Sequence, residues 1–300
     1  MLLRIRHETR YDYDPAVVMA QHLAHLSPVD GPGQVVVSHD LQVSPPAAYS
    51  PERIDTFGNR TLPFTVPFSH EALRVVADSV VQTHPPEALP EGPNWMDAVD
   101  RMTYRAGAPY DPASAFTHAS PLVPRDPELA AYARQVWPED GALLEATREL
   151  MRLIHTDMAY RTGSTAVDTP VLEALRQRKG VCQDFSHLMI GCLRSLGLAA
   201  RYVSGYLMTH PPEGQQRLVG ADASHAWVQV YAPDAGWMDF DPTNNCAGWG
   251  RPSESHVTLA IGRDFGDVSP LRGVLQGGGQ PRLTVGVTVA PADAFPALDD

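Results

Sequence analysis

The feature that most constrains the fold is a change in the spacing of apolar residues along the 300-residue chain. Residues 1–85 consist of short alternating segments separated by proline, glycine and asparagine, which is typical of antiparallel strands. From residue 125 the apolar residues recur at steps of three and four, as in helices, and strand-like segments return after residue 200. This order predicts an α+β protein, in which an antiparallel β-sandwich-like domain precedes helices packed on an antiparallel sheet.

The same pattern divides the chain into four parts. We predict a β-rich N-terminal domain over residues 1–85 and a linker rich in proline and alanine over residues 86–124. Residues 125–250 contain the predicted helices and the strands that follow them, and form the core domain. Residues 251–300 form a C-terminal extension, whose final strand we expect to return to one of the two sheets.

Net charge argues against two classes of partner, and the cysteine content argues against two kinds of structural site. The chain has 23 basic and 35 acidic residues, a formal net charge of -12. Such a field repels phosphate and anionic lipid, so we expect neither nucleic acid nor a membrane as partner. Three cysteines without a CxxC pair indicate neither a disulfide framework nor a zinc ribbon. Because the sequence also lacks a leader-like apolar segment and a run of ~20 apolar residues, we expect a cytoplasmic location.

The clearest helix is predicted over residues 182–196, with Cys182 in its first turn. One apolar stripe follows this helix and consists of Phe185, Leu188, Met189, Cys192, Leu193 and Leu196. The start of a helix presents unpaired backbone N–H groups and the positive end of the helix dipole, which stabilise a thiolate at Cys182. Cys192 lies within the stripe and is expected to be a buried core residue.

Two later predicted strands carry an imidazole and a carboxylate that could act together with Cys182. His225 lies near the start of a strand predicted over residues 223–231, and Asp241 ends a strand predicted over residues 236–241. A short turn makes these strands an antiparallel pair, so their facing side chains lie ~5 Å apart. A cysteine nucleophile, a histidine base and an orienting carboxylate are the groups that covalent acyl transfer needs. Asp239 shares a strand face with Asp241, and a period of two does not choose between them.

Other candidate residues have a weaker case. His187 follows Cys182 by five residues, ~140° around the helix, and therefore cannot act as its base. Asp184 is interpreted as an acid that the helix dipole favours. His22 and His25 have the spacing of two metal ligands on a helix, but no acidic cluster accompanies them, and we expect them to be surface residues. We predict no metal site and no cofactor.

Four ordered blocks of this sequence resemble the bacterial transglutaminase-like proteins. They are GVCQDFSH at residues 180–187, ARYVSGY at 200–206, SHAWV at 224–228 and FDPTN at 240–244. This resemblance covers residues 125–250. The N-terminal β region is similar to the N-terminal domain of the same group, with the line HETRYDY at residues 7–13.

The resemblance implies a papain-like, transglutaminase-like core with a Cys-His-Asp triad. Matched residue by residue, Cys182 is the nucleophile, His225 the base and Asp241 the orienting carboxylate, and the block FDPTN favours Asp241 over Asp239. The implied activity is an enzymatic acyl transfer from amides through a thioester, on peptide or protein substrates.

The acceptor of the acyl group is left open by the sequence. We favour water, which is the default acceptor in an open cleft and makes the protein a peptidase or deamidase. Aromatic cover from Trp227, Trp237 and Trp249 would exclude water and favour the alternative, transamidation to an amine. A peptide-binding module without catalysis is a further alternative, which the presence of all three triad residues disfavours. We also expect the N-terminal β domain to offer a surface to a protein partner.

Overall fold

A computed structural model describes residues 1–107, 109–209 and 224–296. Its strands are β1 (Leu2–Ala24), β2 (Gln34–Ser44), β3 (Ala48–Tyr49), β4 (Arg53–Ile54), β5 (Arg60–Val66), β6 (His70–Thr83), β7 (Ala159–Tyr160), β8 (Lys179–Gly180), β9 (Ala200–Leu207), β10 (Ser224–Ala232), β11 (Gly236–Asp241), β12 (Cys246–Trp249), β13 (His256–Gly262), β14 (Leu271–Gly277) and β15 (Arg282–Pro291). Its helices are α1 (Trp95–Met102), α2 (Pro127–Ala133), α3 (Leu143–Asp157), α4 (Val171–Gln177), α5 (Cys182–Ser195) and α6 (Phe265–Val268). In these three ranges no helix has the length and apolar character that crossing a membrane requires.

The long strand β1 organises the N-terminal sheet. Its first half pairs with β6 and β15, and its second half pairs with β5 and β14, all antiparallel. Buried and exposed residues alternate along the first half of β1, as the period of two predicts. The two C-terminal strands β14 and β15 both join this sheet by pairing with β1.

The core domain is one antiparallel sheet with helices packed on it, which makes the protein α+β. The order of strands is β12-β11-β10-β9-β13, and α5 packs against β9 and β10. The predicted apolar stripe of α5 is buried in this contact along its whole length. Burial of such a stripe against the sheet is what stabilises the helix, since few isolated helices of this length are stable in water. The helix thereby presents its first residue, Cys182, at one end of β10.

Two predicted boundaries differ from the structure. Residues 86–124 contain α1 and a 3-10 helix, Pro112–Thr117, and Glu87 exchanges two backbone hydrogen bonds with Trp249 of β12. The segment therefore packs along the core. The core sheet also continues past residue 250, because β13 forms its edge strand. β13 is a short apolar run, and such a run does not reveal from its spacing which sheet it joins. Ala223, the first residue of the predicted strand over 223–231, lies outside the described residues.

The N-terminal domain covers the free edge of β13 with two amide side chains. Gln34 donates from Nε2 to the Thr258 carbonyl and accepts from the Thr258 N–H at Oε1, both at 2.8 Å. Asn59 makes the same pair of contacts with Ile261, both at 2.7 Å. Each amide replaces the backbone of a neighbouring strand on an edge that could otherwise pair with another chain.

An apolar interface surrounds these contacts. It consists of Leu3, Ile5, Val81, Val287 and Val289 from the N-terminal sheet, packed with Tyr206, Met208, Val257 and Leu259 from the core sheet. Inside the interface, Nδ1 of His7 lies 3.0 Å from the hydroxyl oxygen of Tyr206. The two sheets therefore share buried surface.

The expectation that His22 and His25 are surface residues near a helix is wrong. His22 lies in β1 and His25 directly follows it, and both are buried, with exposed fractions of 8% and 1%. The apolar spacing in the second half of β1 resembles that of a helix, but pairing with β5 and β14 on both sides decides the conformation. Neighbouring strands override local propensity here.

Because three histidines are buried, we expect the free energy of unfolding to decrease in mild acid. Burial lowers the pKa of His7, His22 and His187 to about 4, whereas a histidine in the unfolded chain titrates near ~6.5. Between these two values the unfolded chain binds protons that the folded chain does not. The free energy of unfolding should therefore decrease as the pH is lowered through this window, by about 1.4 kcal/mol per pH unit for each histidine. Urea denaturation at a series of pH values measures this slope.

The variant His7→Gln is the control for this assignment. Glutamine keeps a donor near Tyr206 but does not titrate, so the pH dependence of the unfolding free energy should become less steep. A variant with the wild-type slope would contradict the role of His7.

Candidate active site

Cys182 begins α5, and the chain before it is fixed by a carboxylate that folds back on the helix start. Oδ2 of Asp184 accepts hydrogen bonds from the Val181 N–H at 2.8 Å and from the Thr165 hydroxyl at 2.7 Å. Gly180 permits this arrangement, since a Cβ there would lie 2.6 Å from the Asp184 side chain. The half-buried thiol therefore sits on a rigid turn, where first-turn N–H groups and the helix dipole stabilise a thiolate.

His225 lies at the start of β10 and contacts both of the other triad residues. Its Nε2 is 2.7 Å from Oδ2 of Asp241, which leaves Nδ1 for the thiol. Burial opposes protonation of the ring, but a hydrogen bond and the charge of Asp241, followed by those of Cys182, raise the pKa of His225 to about 10. The ring therefore carries a proton near neutral pH, and a proton on the base is what the departure of an amine requires.

Asp241 is fully buried and accepts hydrogen bonds at both oxygens. Oδ2 lies 2.7 Å from Nε2 of His225, 3.0 Å from Nε2 of His256 and 2.6 Å from Nδ2 of Asn244. Oδ1 accepts from the N–H groups of Thr243 at 2.9 Å and Asn244 at 3.2 Å. Burial alone would raise the pKa of this carboxyl, but the neighbouring imidazoles hold it well below its usual range. The carboxylate therefore stays ionised and orients His225.

Asp239, the alternative carboxylate, contacts a different pair of side chains. Its Oδ1 accepts hydrogen bonds from the Trp227 indole and the Gln229 amide, both at 2.8 Å. Burial raises its pKa to about 6, against the effect of these two donors. Gln229 lies directly opposite Asp239 in the sheet, so His225 is the diagonal neighbour of Asp241. The geometry therefore joins His225 to Asp241 and not to Asp239.

His187 and Cys192 lie in the core beneath the site. His187 is 2% exposed, its Nε2 accepts from the Phe265 N–H at 3.2 Å, and its ring contacts Tyr202. Cys192 is fully buried, and burial raises the pKa of its thiol. Neither residue faces the groups around Asp241.

The sequence alone does not identify Asn244 and His256 as contacts of Asp241. The Thr243 N–H closes an Asx turn on Oδ1 of Asp241, and Asn244 follows directly, so its amide side chain reaches Oδ2 of the same carboxylate. His256 lies on β13, across the sheet from β11. No local sequence signal connects these two strands, so only the fold reveals this contact.

Among the described residues, one group of three side chains lies close enough together to share a metal ion. It consists of His225, Asp241 and His256. The imidazole nitrogens lie 2.7 and 3.0 Å from the same carboxylate oxygen, which are ordinary hydrogen-bond distances. The second nitrogen of His256 is 2.7 Å from the Ser253 hydroxyl. We interpret the group as a hydrogen-bond network that keeps Asp241 charged.

The three tryptophans considered as cover for the site lie at different places in the core sheet. Trp227 is fully buried and stacks on His225 from within the sheet, with 6.2 Å between ring centroids. Trp237 lies at the far end of β11 from Asp241, where the Arg201 guanidinium is 3.9 Å from its ring centroid. Trp249 pairs with Met238 and packs against the core. Trp227 therefore lies beside the triad histidine, and Trp237 lies away from Asp241.

Two family models match this chain. The model described as the transglutaminase-like superfamily matches residues 130–242, and the model described as the bacterial transglutaminase-like N-terminal region matches residues 3–82. The first match contains Cys182, His225 and Asp241. The second covers most of the N-terminal sheet.

Relatives of known sequence extend over nearly the whole chain. An uncharacterized protein of Mycobacterium tuberculosis is 37% identical over 285 residues, which cover 91% of this chain and 87% of the relative. A glutamine gamma-glutamyltransferase of Pseudomonas aeruginosa is 35% identical over 130 residues, 41% of this chain and 19% of that protein. A solved structure from Cytophaga hutchinsonii, described as a candidate cysteine protease, has a TM-score of 0.73 at 19% identity and covers 100% of this chain and 94% of that one.

The three cysteines should differ in reactivity. Burial raises the pKa of Cys246 to about 12 and also raises that of Cys192, so both stay protonated. Cys182 has an imidazolium and a helix start beside it, and at about pH 6 iodoacetamide should label it at least tenfold faster than either. Peptide mapping after limited labelling measures the three rates. Equal slow labelling of all three would contradict an activated thiolate at Cys182.

The two carboxylates should differ in their effect on His225. Asp241→Asn removes the charge that holds the proton on the ring. It should therefore lower the pKa of His225 by roughly two pH units or more. The matched variant Asp239→Asn should leave that pKa close to its wild-type value. Nitrogen-15 NMR of labelled histidine measures both. A larger effect of Asp239→Asn would assign the orienting role to Asp239.

Proposed function

Because the chain belongs to the transglutaminase-like superfamily, we propose that it transfers acyl groups from amides through a thioester on Cys182, with water as the acceptor. The observation that carries this proposal is the arrangement around His225, which Asp241 keeps protonated beside a thiol at a helix start. This arrangement supplies a nucleophile, a proton donor and an orienting group. We propose peptide or protein substrates.

In the first half of the proposed reaction the substrate acylates the enzyme. The thiolate of Cys182 attacks the amide carbonyl carbon, a C–S bond forms, and the carbonyl electron pair moves onto the oxygen. The backbone N–H of Cys182, which has no partner within its helix, donates to this oxyanion. The intermediate then collapses, the C–N bond breaks, and His225 gives its proton to the leaving amine. The products are a thioester, a free amine and a neutral imidazole.

In the second half water regenerates the enzyme. Neutral His225 accepts a proton from water as the water oxygen attacks the thioester carbonyl. The C–S bond breaks, the carboxylic acid leaves, and Cys182 returns to the thiolate beside the imidazolium. Asp241 stays ionised in both halves and holds Nε2 of the ring, so that Nδ1 keeps facing the reaction.

Two observations bear on the choice of acceptor. The thiol is half-buried and so partly exposed to solvent, which supports access of water. The similarity of 130 residues of this chain to a protein-glutamine gamma-glutamyltransferase supports transamidation as the second candidate. Both candidates use the same thioester and differ only in what attacks it.

The partners of this protein and its location in the cell remain predictions. The net charge of -12 disfavours nucleic acid and anionic lipid as partners. We also propose that the enzyme works in the cytoplasm, where its unpaired thiols would stay reduced.

The experiment that tests the proposal compares the wild type with Cys182→Ala on a mixture of peptides in the presence of a primary amine. Cleaved, deamidated and amine-linked peptides differ in mass, so mass spectrometry separates the outcomes in one reaction. We expect cleavage or deamidation that depends on Cys182 and exceeds amine incorporation. Dominant amine adducts would instead assign the protein to transamidation.

A folded control keeps this comparison interpretable. The alanine variant should bind the same peptides and keep the wild-type melting temperature, because the thiol is only half-buried. If the wild type produces none of the three products, or if Cys182→Ala produces them equally, acyl transfer at this site is contradicted for these substrates.

A further inference from the structure

The triad carboxylate is shared by a second imidazole that comes from a distant part of the chain. His256 opens β13 and is 1% exposed. Its Nε2 lies 3.0 Å from Oδ2 of Asp241, the same oxygen that contacts His225. Since an ionised carboxylate only accepts hydrogen bonds, the Nε2 of His256 carries the proton in this contact.

The ring of His256 is held on every side. Ser253 lies 2.7 Å from Nδ1 and can donate its hydroxyl proton there, which fixes the neutral tautomer with its proton on Nε2. Arg251, which is fully buried, donates to the carbonyl oxygen of His256 at 2.7 Å. The ring also packs edge-on against Trp227, with 5.2 Å between centroids.

A neutral His256 suits a position beside His225. Burial is the largest influence on its pKa and lowers it, although the contact with Asp241 acts in the opposite direction. The other charged groups facing it are His225 and Arg251, and both disfavour a further positive charge. His256 therefore donates a hydrogen bond to Asp241 without adding a charge that would expel the proton from His225.

The position of His256 depends on the N-terminal domain. Two residues after it, Thr258 is held by Gln34, and further along the same strand Ile261 is held by Asn59. The N-terminal amino group of Met1 forms an ion pair with Glu254, just before the strand. These contacts fix β13 on both sides of the irregularity between Thr258 and Ala260.

Gly33 adds a contact that depends on its lack of a side chain. A Cβ at this position would lie 2.5 Å from Nε of Arg251 and 2.8 Å from the Gly250 carbonyl oxygen. The backbone before β2 therefore rests directly on the guanidinium that holds the His256 carbonyl. The N-terminal domain and the triad are thus connected through three consecutive contacts.

We propose that His256 is a positioning residue, which fixes the orientation of the Asp241 carboxylate toward His225, and that the N-terminal domain fixes His256 by binding β13. The proposal rests on the proposed function only for the roles of Cys182, His225 and Asp241. It makes the N-terminal domain part of the support of the active site, in addition to any surface that it offers to partners.

Three variants of the pair His256 and Ser253 test the first part. His256→Leu removes the donor, His256→Gln retains an N–H in a similar place, and Ser253→Ala removes the group that sets the tautomer. Nitrogen-15 NMR of His225 and the rate of Cys182 labelling at about pH 6 are the readouts. Neither requires a substrate, so the outcome is independent of whether acyl transfer is found.

We expect His256→Leu to lower the pKa of His225 clearly from its wild-type value of about 10 and to slow labelling about tenfold or more. His256→Gln should recover most of both, and Ser253→Ala should show an intermediate loss. An unchanged or raised pKa of His225 in His256→Leu overturns the proposal, because His256 would then be only packing or a competitor for the carboxylate. If His256→Leu does not fold, unchanged values in Ser253→Ala overturn it.

The second part is tested by the double variant Gln34→Ala with Asn59→Ala, compared with Gln42→Ala. Gln42 lies on the same strand as Gln34, but it is exposed and bonds only to Asp40 among the described contacts. The double variant should lower the pKa of His225 and slow labelling of Cys182, in the same direction as His256→Leu, while Gln42→Ala should change neither. A folded double variant with wild-type values of both overturns the role of the N-terminal domain.

Discussion

The buried carboxylate of Asp241 is the constraint on which the rest of the site depends. A charge in a fully buried position is costly unless donors surround it, and here two imidazoles, one amide and two backbone N–H groups do so. These donors come from β10, β13 and the turn after β11. The charge can therefore be buried without a large cost only when three parts of the core sheet have reached their final positions. In return it holds the proton of His225, which the proposed chemistry at Cys182 would use.

The two domains act as one physical unit around this charge. The edge strand β13 contributes His256 on the side of the active site, and on its other side it is paired by the Gln34 and Asn59 amides of the N-terminal domain. Two further strands, β14 and β15, return the chain to the N-terminal sheet. A domain that merely recruits partners needs no such buried connection. These contacts support the proposal that the N-terminal β domain helps to hold the core in position.

Local sequence signals indicate Cys182, His225 and a carboxylate at residue 239 or 241, and the resemblance to the transglutaminase-like proteins favours Asp241, whereas the supports of these residues depend on contacts between distant residues. Cys182 stands at a helix start, His225 at a strand start and Asp241 at a strand end, and each signal is readable within a few residues. His256 is fifteen residues from Asp241 along the chain and on a strand whose sheet its short apolar run does not specify. In the second half of β1 the local spacing is misleading. It resembles that of a helix, but pairing with β5 and β14 makes this segment a strand. The helix predicted over residues 182–196 and the strand predicted over residues 236–241 correspond to α5 and β11, since each has strong local periodicity.

We propose above that Cys182 carries the acyl group as a thioester. The most direct test is to mix the protein with the acyl donor para-nitrophenyl acetate, stop the reaction in acid and weigh the intact protein by mass spectrometry. We expect one acetyl group on Cys182, formed in a burst and removed by neutral hydroxylamine, which cleaves thioesters, with none on Cys182→Ala. Release of nitrophenol by the wild type without such an adduct, or an adduct on another residue, would contradict a thioester on Cys182.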